Sequence, residues 1–171
     1  MSADLPLEDP ARRVNRPGAA RGEHAWDRTI RLWDGYFAVA WAATLVFVLA
    51  AAHPGFPVRA VAAALLVPLV PWYAVVGRPL LQEDPPDQGQ ALRYLAAAIA
   101  LFLPSAVLVG ETRLMAFALI PQCFMTLRMR WSLAAVSVIN LVPVAGWALL
   151  WQPSGADLFA NFLFSVVTLV F

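Results

Sequence analysis

Residues 94–110 read YLAAAIALFLPSAVLVG, seventeen consecutive positions without a charge. At ~1.5 Å of rise per residue, about 17–25 apolar residues cross the ~30 Å hydrocarbon core of a bilayer as a helix. Runs of the same kind flank this one at 35–52, 59–77 and 131–151, with shorter ones at 114–127 and 158–171. Composition agrees with lipid as the main solvent. Of 171 residues, 61% are apolar and only 13% charged, with a mean hydropathy of +0.67. Soluble domains run about 45–50% apolar and about 25% charged, so a disordered chain, a disulfide scaffold and an ordinary soluble enzyme are excluded as classes.

The six runs predict an all-α fold, a polytopic transmembrane helix bundle across 35–171. The 114–127 run is short, but Arg113 and Arg128 bracket it and can snorkel to the two interfaces. The 158–171 run begins after Asp157 and stops while still apolar. It reads as a sixth span truncated in mid-membrane, in a chain that is a fragment. Before the bundle, 1–25 is polar, broken by Pro6, Pro10 and Pro17, and lacks the apolar core of a signal peptide. It reads as a disordered cytoplasmic tail. In 26–34, Trp26, Ile30 and Trp33 recur at helical spacing, and Asp27 precedes Arg31 by four. That pattern fits an amphipathic juxtamembrane helix, or equally the wet end of span one with its tryptophans in the interface belt.

Sidedness follows from arginine, which supplies all twelve basic residues. With the N-terminus cytoplasmic, Arg12, Arg13, Arg16, Arg21, Arg28 and Arg31 lie inside, as do Arg78, Arg93, Arg128 and Arg130. Only Arg59 and Arg113 fall on outer edges. This obeys the positive-inside rule, and the reverse orientation violates it at nearly every loop. The outer connections 53–58, 111–113 and 152–157 are too short to fold alone, so a signal must be felt in the bilayer or at its surface. Multi-pass residence in the cell membrane, with the lipid bilayer as first partner, follows.

The chemistry of the chain is sparse. Without lysine there is no P-loop or Schiff-base lysine, and the single cysteine, Cys123, allows no internal disulfide and no CxxC pair. His24 and His53 are isolated and read as surface residues rather than metal ligands. Asp34-Gly35 resembles the opening of the lipid-alcohol phosphotransferase signature, but Tyr36-Phe37 and an uncharged helix follow. Glu83, Asp84 and Asp87 surround Pro85-Pro86, which suits a solvated turn better than a cation site. No ionisable residue sits near the centre of a span, which weighs against a pump or proton-coupled transporter. Prolines interrupt the spans at 68, 71, 104, 121 and 143. Two lie close to amides: Pro121 beside Gln122, and Pro143 three residues past Asn140. Pro121, Gln122, Asn140 and Pro143 are therefore the candidate sensing or hinge positions, against the simpler reading that they only tighten the bundle.

The entry segment RTIRLWD at 28–34, the closely spaced spans, the TLRMRW turn at 126–131 and the WQP turn at 151–153 together resemble one known group. This is the N-terminal membrane region of actinobacterial two-component sensor histidine kinases of the desaturase-thermosensor and nitrate-response type. The resemblance covers the chain from about Trp26 onward and is one of layout. It implies a homodimer that signals to a response regulator through a cytoplasmic kinase core beyond this chain, with no nucleic-acid partner. In the family that core carries the phosphoacceptor histidine and uses ATP and Mg. No catalytic residue, metal ligand or cofactor-binding residue transfers to a position in this chain. The alternatives are a small transport or channel subunit and a membrane scaffold protein.

Overall fold

The structure is a computed structural model that describes residues 17–83 and 85–151, and beyond them 159, 162, 163 and 166. The tail 1–16 and most of the sixth predicted span lie outside the described residues. Among the described residues the fold is all-helical, with no strand. Four helical stretches are long and apolar enough to cross a membrane: Thr29–Ala50, Phe56–Gln82, Gln88–Leu108 and Met129–Leu150. Large apolar side chains such as Val39, Val46, Phe47, Val75 and Leu149 cover their outer faces, as lipid-facing surfaces require and soluble domains avoid.

The chain falls into two compact units, Met1–Trp33 and Asp34–Phe171. Helix α1 (Pro17–Ala50) includes 17–25, which the sequence leaves in the tail. The second of these stretches is a broken helix rather than the single run 59–77. It comprises α2 (Phe56–Leu66), α3 (Leu69–Trp72), a π turn (Tyr73–Gly77) and α4 (Arg78–Gln82). Its first break follows from proline chemistry: Pro68 and Pro71 have no N–H and crowd the preceding turn. The Val70 N–H bonds back only three residues, to Val67 O at 3.4 Å. The carbonyl of Leu66 is left to another donor, and the Trp41 indole N–H of α1 supplies it at 2.8 Å.

Helix α5 (Gln88–Leu108) starts six residues before the predicted span. Asp87 caps it, accepting from Gly89 N–H at 3.3 Å and Gln90 N–H at 3.0 Å, a bond that adds about 1 kcal/mol to a helix start. The predicted 78–93 loop thus shrinks to 83–87, because α4 and the first turns of α5 take up the rest. α5 is central. Its inward stripe of Ala91, Tyr94, Leu95, Ala98, Phe102, Ser105 and Ala106 is buried, and it packs against α2, α3 and the last helix. A 3-10 turn (Gly110–Met115) then leads into α6 (Ala116–Thr126) and α7 (Met129–Trp151). Six residues of 3-10 helix at ~2.0 Å and eleven of α-helix at ~1.5 Å reach about 28 Å, which nearly matches the hydrocarbon core. α7 passes close to α5 at Gly146, where a Cβ would lie 2.6 Å from Val107 Cγ2. Small residues of this kind let membrane helices approach closely.

Side-chain bonds fix which turns share an end of the bundle. The Gln88 amide donates to Thr126 O at 3.0 Å and accepts from Arg128 N–H at 3.1 Å, joining the start of α5 to the α6–α7 turn. At the opposite end, Arg59 Nη1 donates to Leu49 O at 2.8 Å and to Ala51 O, taking up carbonyls that the end of α1 leaves unpaired. Thr112 donates to Ser105 O at 3.2 Å, and Ser105 donates to Ala62 O at 2.9 Å. Arg78, Arg93, Arg128 and Arg130 therefore belong to the Gln88 end, and Arg59 and Arg113 to the other.

Candidate functional site

A chain of side-chain hydrogen bonds runs through the π turn (Tyr73–Gly77). A π turn carries one residue more than an α turn, and here the Arg78 N–H bonds to Tyr73 O, five residues back. Widening also eases the clash that the Pro79 ring would make with the carbonyl of Val75. The extra residue turns the two ends of the π segment in different directions. Tyr73 points at α1, where its hydroxyl donates to Asp34 Oδ1 at 2.9 Å and its ring stacks on Phe37 with centroids 4.0 Å apart. Arg78 Nε donates to the other carboxylate oxygen of Asp34 at 3.0 Å. One carboxylate thus holds both ends of the turn. The Asp34–Arg78 pair is partly exposed, so its Coulomb contribution is small.

Gly77 points at α5. A Cβ there would sit 2.5 Å from the Tyr94 ring, so the contact requires glycine. Trp72 adds a bond from its indole N–H to Tyr94 O at 3.0 Å. The Tyr94 hydroxyl, fully buried, donates to Gln122 Oε1 of α6 at 2.5 Å. The π turn is consequently coupled to α1 through Asp34 and to α6 through Tyr94 and Gln122.

The four sequence-predicted positions fall on two helices, Pro121 and Gln122 on α6 and Asn140 and Pro143 on α7. Gln122 is completely buried and belongs to this seam, while its Nε2 has no partner among the described residues. Pro121 lies inside α6 and frees the carbonyl of Phe117, four residues before it. Gln122 does not fill that vacancy; the Tyr36 hydroxyl of α1 does, at 2.8 Å. Asn140 is buried in α7 and donates to its own helix, at Val136 O, at 2.9 Å. Pro143 lies inside the same helix. Gln122 thus joins two helices, whereas the Asn140 bond to Val136 stays within one.

Tyr73, Gly77 and Tyr94 are not singled out by the sequence, and Asp34 stands out there only in the Asp34-Gly35 pair. The available signal was a tyrosine in each of two apolar runs, since a buried phenol needs an acceptor. Chemically the seam can hold and exchange hydrogen bonds. Among the described residues no group of three or more His, Cys, Asp or Glu converges as a metal site. The second notable surface is an open apolar groove of about 560 Å³ between α3 and α5, with Pro71, Trp72 and Val75 on one wall and Ala97 and Ala100 on the other. Compared with family models, curated proteins and solved structures, the chain matches none of them.

Proposed function

We propose that the chain is the membrane-embedded sensing region of a two-component sensor histidine kinase, passing a bilayer signal to a cytoplasmic kinase core outside this chain. One observation supports intramembrane sensing above the others: a π turn held on one side by hydrogen bonds to Asp34 of α1 and on the other by packing of Gly77 on the Tyr94 ring of α5. A π turn that reverts to α geometry sheds one residue from the turn. Everything after it then rotates by about 100° and advances by about 1.5 Å. Arg78 would leave Asp34, and Gly77 would leave the Tyr94 ring. Two packings separated by such a register step form the bistable element that signalling needs. Bilayer thickness or order biases it, because the two states differ in length along the membrane normal.

In this reading 110–126 crosses as a compact 3-10/α segment and 158–171 crosses last, giving six spans. The Gln88 end of the bundle is cytoplasmic, because it carries four of the six arginines between 34 and 151. The kinase assignment rests on the sequence resemblance. Its test is the reading frame beyond Phe171, which should encode a histidine-bearing dimerisation helix followed by an ATP-binding domain. A transporter domain or an immediate stop codon there would overturn it. The sensing mechanism is tested separately, by autophosphorylation of the full-length protein in liposomes of graded acyl-chain length. Asp34→Asn should move the chain length giving half-maximal output while leaving the maximum unchanged.

A further inference from the structure

We propose that the groove between α3 and α5 is a binding site for one anionic phospholipid, with an acyl chain against Trp72, Val75, Ala97 and Ala100 and the phosphate on Arg93. The inference stands apart from the signalling reading and needs no kinase. The groove wall is almost wholly apolar, and it belongs to helices long and apolar enough to cross a membrane. Water has no hydrogen-bond partner there, and an empty groove would forfeit dispersion contacts on both walls. Hydrocarbon is the occupant that fits. Pro68 and Pro71 create the space by bending the second crossing, and the small side chains of Ala97 and Ala100 keep the opposite wall low.

Charge identifies the headgroup. Arg93 is exposed and stands four residues before Ala97, on the same face of α5 and one turn nearer the Gln88 end. Its guanidinium reaches towards Gly89, on the Gln88 side of the groove, the side on which the phosphate would lie for a chain seated in it. Arg78, at the same end, is already paired with Asp34. The described carboxylates of the adjoining turn are directed onto backbone donors: Glu83 accepts from Asp87 N–H at 3.4 Å, and Asp87 accepts from Gly89 and Gln90. The positive charge that Arg93 adds one turn from the groove favours a lipid of net negative charge over a zwitterionic one.

The test uses the 171-residue chain in nanodiscs and two photolabels with the same diazirine-bearing acyl chain, phosphatidylglycerol and phosphatidylcholine. Adducts are mapped by peptide mass spectrometry. Phosphatidylglycerol should label 68–75 and 97–101, about fivefold more than phosphatidylcholine does. Arg93→Gln should bring the two lipids to equal labelling. Ala100→Phe, which fills the groove from an exposed position, should abolish groove labelling by both. Labelling spread evenly over the outer faces, equal labelling of the parent by the two lipids, or groove adducts that persist in Ala100→Phe would each overturn the proposal. So would absence of groove adducts in the parent, the result expected if another part of the chain covers the groove. Because mapping on the parent decides the location, the proposal stays testable even if a variant fails to fold.

Discussion

The hydroxyl of Tyr94 and the amide of Gln122 satisfy each other only in part. The bond at 2.5 Å uses Gln122 Oε1 and leaves Nε2 without a partner among the described residues. An unmade hydrogen bond on a buried donor costs about 1–3 kcal/mol, whereas removing both partners can be nearly neutral. Tyr94→Phe should therefore lower stability by about 1–3 kcal/mol, because it leaves the whole amide unpaired. Gln122→Leu should cost a similar amount by stranding the phenol. The double substitution should be more stable than either single one, as read by thermal unfolding in detergent; additive losses would show that the two side chains do not act as a pair. At this scale sequence reading reached Gln122 but not its partner. A polar residue in an apolar run is conspicuous, while the donor it will meet 28 positions away is not. Asp34 shows the same limit: it marks the start of a span in sequence, and only the fold brings Tyr73 and Arg78 to it.

Glycine and aspartate punctuate the elements. A Cβ at Gly77 would collide with the Tyr94 ring, so Gly77→Ala should destabilise the bundle by about 1–3 kcal/mol, as overpacking does. Pairing it with Tyr94→Ala should recover part of that loss, measured in the same unfolding experiment. Asp87→Ala removes the α5 cap and should cost about 1 kcal/mol. The long apolar helices were legible because a run of about 20 apolar residues has few alternatives. Their ends were less so. The start of α5 lay in polar sequence, although Asp87 followed three residues later by Gln90 is a helix-start pattern. The π turn left no trace in composition: YAVVG at 73–77 is as apolar as its neighbours, and packing on Tyr94 and Asp34, together with the Pro79 ring that follows, selects the wider turn.

Between residues 34 and 151 the bundle has two ends that side-chain bonds define. Arg59 and Thr112 mark one, Gln88 and Asp34 the other. Arginine counting in the sequence grouped the turns in the same way, because sidedness is written in polar loops rather than in packing. Which end faces the cytoplasm is testable with single cysteines in a Cys123→Ser background. Glu83→Cys and His53→Cys both replace exposed residues, and a membrane-impermeant thiol reagent added outside should label His53→Cys only. Labelling of Glu83→Cys alone would invert the topology. Gln88 itself is a poor probe, since its amide ties α5 to the α6–α7 turn. A different consequence follows from the two arginines that close α1 against the second crossing. Arg59 secures the carbonyls at one end of this hairpin and Arg78 engages Asp34 at the other, with Trp41 bonded to Leu66 O between them. All these partners lie before residue 79, so the first two crossings hold every one of them before α5 leaves the ribosome. The hairpin can thus enter the membrane as a closed pair, its Arg78 charge already answered, and wait there as a template. A released chain truncated after residue 83 should then resist protease in membranes, and Asp34→Ala should make the same truncated chain susceptible.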